Sequence, residues 1–496
     1  MNLAIVVGVL GYVCILHGLA LIPIILYACT WEHAFILPCA DTMFLSLLLG
    51  FWAWKRYKHL ALRNHWVNDY KNMRNFTIRE GIAFLGCGWF LMTFLGALPY
   101  FLSGLFTFPD ALFESAAALT TTGVSAMPLG HGFPRTLLLW HVWAQWLGGI
   151  GTIIVFILLL PRLGAGAGYL FSAEVQCASA ERTMPSAMTS AYIIFTIYAG
   201  TTVMEALLLR LAGVPTLTSL AVSMATISTG GFTKLNNFLA GNKSLLVEAL
   251  LIIFMLIGSI NCVLYYRCLQ GRFSLLKKDT ECKWYFSILV GAFLVITFNL
   301  WSSQTYSFLD AGRYALFQTV SVMSTAGFAD VDYSTWPSFS RLLLFYLAMI
   351  GGCSGSTAGG LKISRMVVLL KICKNEIMRT AHPHFATLLT MGGKPVPSTA
   401  IGGVGRYFFL YFLVFIVLVV AYSLTGFGIL ETLSTVVNCL SNLGSPYSLI
   451  GKNISYVGLP VWNRLVLYFA MILGRVELFT MVMVLSPGFW MGKRSW

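Results

Sequence analysis

Four short stretches of the chain end in nearly the same way: Thr120-Thr121-Thr122-Gly123, Ser228-Thr229-Gly230-Gly231, Ser324-Thr325-Ala326-Gly327 and Ser441-Asn442-Leu443-Gly444. Small and hydroxyl residues leading into glycine concentrate carbonyl oxygens in one turn and keep bulk out of it. Glycine also permits positive φ and a close approach of two backbones. If several such turns face one axis, their carbonyls can replace the hydration shell of a monovalent cation. The four glycines lie 108, 96 and 117 residues apart, so the pattern is an internal repeat. Candidate coordinating residues are Thr121, Thr122, Gly123, Thr229, Gly230, Gly231, Thr325, Ala326, Gly327, Asn442, Leu443 and Gly444. The fourth copy departs, with Asn442-Leu443 where the others carry small hydroxyl, Gly or Ala residues, so imperfect four-fold symmetry is expected. Small residues also serve as helix-packing contacts in membranes, but four copies at one topological position favour the ion-coordinating reading.

Two further features could act on a permeating ion. The run Gly351-Gly352-Cys353-Ser354-Gly355-Ser356-Thr357-Ala358-Gly359-Gly360 interrupts an apolar span with residues that a lipid-facing helix would not contain. It is not a phosphate-binding loop of the Walker type, because Gly360 is followed by Leu361-Lys362-Ile363 rather than Lys-Ser/Thr. Arg475 falls inside the last apolar span, where facing lipid would cost about 2.5–3.5 kcal/mol. It must face water or a partner. Glu477 is two residues away and on another helix face. Glu205 and Arg210 read as structural, and His17 and His141 as packed or interfacial side chains rather than metal ligands. Trp52, Trp54, Trp89, Trp140 and Trp143 read as interfacial anchors.

These residues must be positioned by membrane helices. Of 496 residues, 58% are hydrophobic and only 10% charged, with mean hydropathy +0.79, which excludes a soluble enzyme. The net charge of +14 would suggest nucleic acid in a soluble protein. Here the basic residues lie between apolar runs, so lipid rather than nucleic acid is the expected partner. Apolar spans fall at 3–29, 35–54, 82–104, 136–160, 189–213, 245–268, 284–302, 341–373 (interrupted), 405–425 and 462–486, giving ten crossings. No Lys or Arg precedes Lys55, and the first run is too long for a signal-peptide core, so it reads as a retained helix. Basic clusters after the second, sixth, eighth and tenth spans (Lys55 to Arg79, Arg267 to Lys283, Lys362 to Arg379, Lys493-Arg494) mark cytoplasmic loops, with both termini inside. Segments 107–123, 216–231, 311–327 and 429–444 are left over and too short to cross, and read as re-entrant helices followed by a glycine-containing strand. Eleven cysteines without a CxxC pair read as buried thiols. No HExxH, GxSxG or clustered carboxylates appear, so no enzyme activity is expected.

At the four glycine turns the chain resembles the TrkH/KtrB/HKT superfamily of potassium transporters, and is most similar to its TrkH branch. Gln145-Trp146-Leu147-Gly148-Gly149-Ile150-Gly151, the run from Ile350 to Lys362 and Leu473-Gly474-Arg475-Val476-Glu477-Leu478-Phe479 carry the resemblance further. It implies four M1-P-M2 units with Gly123, Gly231, Gly327 and Gly444 as filter glycines, and K⁺ as the transported ion without another cofactor. It also implies a homodimer in a bacterial inner membrane, controlled by a cytosolic nucleotide-binding ring protein of the TrkA type. In such proteins the interrupted span holds a gating loop, which assigns Gly352, Gly355, Ser356, Thr357, Gly359, Gly360 and Lys362 to the gate, together with Arg475. The expected architecture is an all-α polytopic membrane protein. A helix pair and cytoplasmic loop (1–80) precede pore repeats at 81–165, 186–272, 283–380 (with the gating loop) and 403–490. A Na⁺- or H⁺-coupled symporter with a midplane site is the rival, but such folds usually carry two-fold repeats.

Overall fold

A computed structural model describes residues 3–63, 78–127, 133–159, 187–232, 244–271, 274–382, 389–391, 394–396, 398–452, 455–476 and 478–490. Apolar runs of about 20 residues have no option in lipid but to satisfy every backbone group internally, and helices dominate accordingly. The chain opens with α1 (Leu3–Ala20), α2 (Ile22–Trp31), α3 (Ile36–Arg63) and α4 (Ile78–Leu102). There follow α5 (Phe108–Leu119), α6 (Arg135–Leu159), α7 (Ala187–Leu211), α8 (Thr216–Ile227), α9 (Leu245–Ser259), α10 (Cys262–Leu269) and α11 (Thr280–Ser302). The last third contains α12 (Phe308–Met323), α13 (Ser338–Ile350), α14 (Ile363–Ala381), α15 (Ser398–Ser423), α16 (Ile429–Leu440), α17 (Val461–Arg475) and α18 (Leu478–Leu485). Among the described residues the strands are Thr390–Met391 and Lys394–Pro395, paired antiparallel. The glycine turns form no strand, contrary to expectation, because their amides bond back to the preceding helix.

The surface is inverted relative to a soluble protein. Large apolar side chains such as Leu211, Phe298, Leu309 and Phe409 point outward, while Ser, Thr, Asn and Gln are buried. α1 and α3 pack closely through small residues: a β-carbon on Gly11 would stand 2.9 Å from the Gly50 carbonyl oxygen. Together with α2, this pair leans on α4 and α6 through Leu21, Ile24, Cys39, Tyr100 and Trp140.

Six described helical stretches are long and apolar enough to cross a membrane, or seven counting a bent pair. Of the ten expected spans, 245–268, 341–373 and 462–486 are broken, while 136–160 is the continuous helix α6. α9 and α10 meet at 99°, where Asn261 caps α10 by accepting the Val263 N–H at 2.9 Å. The last span divides between α17 and α18, so Arg475 ends a helix instead of lying within one. α13 and α14 are separated by residues 351–362. Trp140 is not an interfacial anchor: it is buried, and its indole donates to the Gly96 carbonyl at 3.1 Å. Trp52 is exposed, as expected of an anchor. His17 is a packed histidine hydrogen-bonded to Ser46 at 3.0 Å, and Glu205 is buried facing Thr226 of α8. Among the described residues no group of three potential metal ligands occurs, and the described cysteines are free. Glu477, Asn68, Asn75, Lys71, Arg74, Lys234, Lys493, Arg494 and the end of the first repeat (160–165) lie outside the described residues.

Candidate ion site

The short helices α5, α8 and α16 have 12 residues and α12 has 16, lengths of about 18–24 Å at 1.5 Å per residue. All four end on a hydroxyl residue: Thr120, Ser228, Ser324 and Ser441. The next residue is left-handed in every case, with φ of 56° at Thr121, 52° at Thr229, 57° at Thr325 and 52° at Asn442. A β-branched residue in this region is strained by about 1–3 kcal/mol, so three threonines there mark a backbone imposed by its surroundings. Asn tolerates the conformation better than Thr. The fourth copy therefore departs in side chain while keeping the backbone. Two residues later the glycines are left-handed again: Gly123 at 72°, Gly231 at 51°, Gly327 at 72° and Gly444 at 64°.

The amides inside each turn fold back onto the short helix. Thr122 and Gly123 donate to the Ala117 carbonyl at 2.8 and 3.0 Å, Gly230 and Gly231 to Ala225 at 2.9 and 3.2 Å, and Ala326 and Gly327 to Ser321 at 3.0 and 3.3 Å. Leu443 donates to Asn438 at 2.9 Å. With the donors thus engaged, the turn carbonyls are left to the neighbouring turns. A β-carbon on Gly123 would collide with the carbonyl oxygens of Gly230 and Gly231, and one on Gly231 with that of Ala326. One on Gly327 would strike the Leu443 carbonyl, and one on Gly444 that of Thr122. The four turns thus close on one another in chain order. The oxygens of Thr122, Gly230, Ala326 and Leu443 occupy equivalent places, and only glycine fits between them.

Contacts from neighbouring segments support this ring. The Gln145 side-chain amide donates to the Gly231 carbonyl at 2.7 Å. Asn442 donates to Thr122 Oγ1 at 3.1 Å and to the Met471 carbonyl at 2.9 Å, tying the fourth turn to the first and to α17. Gly148 and Gly474 let α6 and α17 approach the ends of short helices, since a β-carbon at either would collide with the carbonyl of Leu119 or Leu440.

Residues 351–362 pack directly against the ring. The Thr229 hydroxyl donates to Thr357 Oγ1 at 3.2 Å, and that hydroxyl in turn lies 3.0 Å from the carbonyls of Ile227 and Gly258. Gly359 N–H donates to Thr325 Oγ1 at 2.9 Å, and a side chain at Gly359 would meet the Ser441 carbonyl. The loop therefore touches the second, third and fourth turns. Gly352 packs on Ala358, and Gly360 folds back on Gly351. The Gly355 carbonyl accepts from Cys262 N–H at 3.2 Å, and the Ser356 hydroxyl donates to the Cys353 carbonyl at 2.5 Å. Lys362, left-handed at φ 70°, donates its N–H to Ile350 at 2.9 Å and begins α14. Both ends of the loop converge on Glu281 in the first turn of α11, whose Oε1 accepts Ser354 N–H at 2.7 Å and Ser364 N–H at 3.1 Å. Glu281 is hidden in the sequence among the charges of the basic cluster from Arg267 to Lys283. Arg475 reaches the same loop, donating to the Thr357 carbonyl at 2.5 Å and to that of Gly148 at 3.4 Å.

An inverted helical surface surrounding a closed set of glycine turns is the build of a multi-pass membrane transport protein. The chain belongs to the TrkH family of cation transport proteins, whose family model matches residues 57–488. It is 30% identical over 499 residues to the Trk system potassium uptake protein TrkH of Halomonas elongata, covering 99% of this chain and all of that one. It is 32% identical over 455 residues to the TrkH of Salmonella typhimurium, covering 91% of each. The crystal structure of the potassium transporter TrkH from Vibrio parahaemolyticus superposes with TM-score 0.87 at 28% identity, covering 99% of this chain and all of that one.

Proposed function

We propose that this protein takes up K⁺ across a bacterial inner membrane through one pore per chain, with the ring of turns as its selectivity filter. The observation that carries this reading is the closure of the four glycine turns in chain order, which sets the Thr122, Gly230, Ala326 and Leu443 carbonyls at equivalent places. Carbonyl rings of this kind replace the water shed by a dehydrating cation. The C-terminal ends of α5, α8, α12 and α16 add partial negative charge on the same side. Segments 81–165, 186–272, 283–380 and 403–490 are the four pore repeats, following the helix pair and cytoplasmic loop at 1–80.

Residues 352–360 with Lys362 act as the gate, and Arg475 holds it. The loop's contacts with three of the four turns support this reading, because a segment seated against the ring obstructs any ion leaving it. Both termini face the cytoplasm, two chains form a dimer, and a cytosolic TrkA-type nucleotide-binding protein moves the gate. Flux of K⁺, Rb⁺, Na⁺ and choline from liposomes containing the purified protein tests the reading. K⁺ and Rb⁺ should pass well ahead of Na⁺, with choline excluded. Equal passage of K⁺ and Na⁺ would remove the filter.

A further inference from the structure

The fourth glycine turn is held differently from the other three. In the first three turns the amides of the glycine and of the residue before it both fold back on the short helix, whereas in the fourth only that of Leu443 does so among the described residues. Just beyond the glycines stand Val124, Phe232 and Phe328, but Ser445 in the fourth copy. Ser445 is buried like the others, and its hydroxyl meets that of Tyr333, a fully buried residue in the segment between the third turn and α13. The Tyr333 hydroxyl gives its hydrogen to the Tyr447 carbonyl at 3.0 Å, so the Ser445 hydroxyl is the donor to the tyrosine oxygen. Ser445 Oγ also accepts the Tyr447 N–H at 3.4 Å.

Tyr333 is itself fixed in place. Asp332 Oδ1 accepts the Ser334 N–H at 2.9 Å and starts a short helical turn, Tyr333–Thr335. The Tyr333 ring stands edge-on to Tyr447, with centroids 5.4 Å apart, and packs on buried Trp336. Farther along, Arg341 of α13 donates to the Leu449 carbonyl at 3.3 Å and to that of Gly451. The outer segment of the third repeat thus clasps the chain that leaves the fourth turn. The third turn, by contrast, is braced within its own repeat, where the Ser321 hydroxyl donates to the Phe328 carbonyl at 2.6 Å.

We propose that Tyr333 is a positioning residue for the selectivity filter: through Ser445 it supplies, from the third repeat, the hold that the fourth turn lacks from its own short helix. The inference rests on the filter reading above. The Leu443 carbonyl sits where a β-carbon on Gly327 would strike it, so the third and fourth repeats meet at the ring and again just outside it. Ser445 is two residues from Leu443, and fixing its hydroxyl fixes the carbonyl's place in the ring. A ring of set width suits the cation whose dehydrated size it fits. A turn free to shift can close around a smaller one. Loss of the Tyr333 hydroxyl therefore relaxes discrimination between K⁺ and the smaller Na⁺, beyond any effect on stability.

The test compares Tyr333→Phe, Ser445→Ala and the double variant in liposomes, reading K⁺ and Na⁺ flux for each protein. Each single variant should lose about two- to tenfold of the K⁺ over Na⁺ ratio, the factor spanned by one neutral hydrogen bond. The double variant should lose no more than the larger single loss, because both changes remove one contact. Ser340→Ala removes another buried hydroxyl, bonded to Asn299 at 2.7 Å, and should keep the wild-type ratio. Unchanged ratios in both single variants, additive losses in the double variant, or an equal loss in Ser340→Ala overturns the proposal. If neither single variant folds, amide hydrogen exchange of the wild-type protein decides. Slower exchange in K⁺ than in Na⁺ at residues 333–335 and 443–447 together supports the clasp, and any other pattern overturns it. A wild type without K⁺ preference would remove the filter reading itself, so the two failures remain distinguishable.

Discussion

The Arg475 guanidinium donates to the carbonyl oxygen of Thr357 across 118 residues of chain, at 2.5 Å. Thr357 in turn touches the end of α8 and the second ring turn through its hydroxyl. One cation thus links the break in the last span to the loop seated under the ring.

Arg475→Gln removes the charge and weakens this tie. A hydrogen bond from a charged group is worth about 1.5–3 kcal/mol, so the loop's equilibrium shifts about tenfold or more toward release. Repulsion of an ion about 6 Å away, about 2.8 kcal/mol at an effective dielectric near 20, would disappear as well. Basal K⁺ flux should rise and respond less to the cytosolic regulator, while Arg475→Lys keeps most of the barrier. Wild-type flux in the Gln variant would limit Arg475 to a structural role.

Serine at Gly231 or Gly327 places a β-carbon against a carbonyl oxygen of the adjacent turn. K⁺ preference over Na⁺ should fall or uptake cease, with the variants still eluting as folded protein in detergent. Unchanged selectivity in all four single Gly→Ser variants would be incompatible with a carbonyl filter.

Glu281→Ala leaves the amides of Ser354 and Ser364 without their acceptor, at about 1–3 kcal/mol each. Flux in the absence of regulator should increase severalfold and ion preference should stay at the wild-type value. Glu281→Gln retains an acceptor oxygen and should fall between the two. A change in preference without a change in flux would move Glu281 from the loop to the ring.

The charge pattern predicts an orientation with the basic clusters on the cytoplasmic side. In a cysteine-free background, Lys278→Cys should react with an impermeant thiol reagent only from the cytoplasmic side, and Asp332→Cys only from outside. Both positions are exposed, so labelling from the opposite faces would invert the topology.

Asp330 lies in the loop after the third ring glycine, outside the spanning helices. Burial pushes its carboxyl up from the ordinary Asp range to about 7. Between about pH 4 and pH 7 the native state holds a proton that the unfolded chain has released, so this group's contribution favours folding at the acid end and is lost as pH rises. Asp330→Asn should therefore raise the thermal midpoint relative to wild type at pH near 8 more than at pH near 5. An equal shift at both values would show that Asp330 carries no linked proton.

Much of the architecture was legible because it is written in local terms. Hydropathy over about 20 residues reports lipid contact directly, and a hydroxyl residue followed within three positions by Gly records a turn whose backbone tolerates little else. Those signals located the four short helices, the glycines and the interruption at 351–360. Hydropathy could not separate a straight span from the 99° bend at Ser259–Asn261, because the same apolar residues serve both. The sequence left the fourth turn as a departure from the pattern; the fold shows Asn442 adopting the shared left-handed backbone, with the Leu443 carbonyl at the place held elsewhere by Thr122, Gly230 and Ala326. The partners of Arg475 and Glu281 were decided by tertiary structure alone. Each joins segments far apart in the chain, and no periodicity carries such a contact, since it depends on how broken helices bring their ends together.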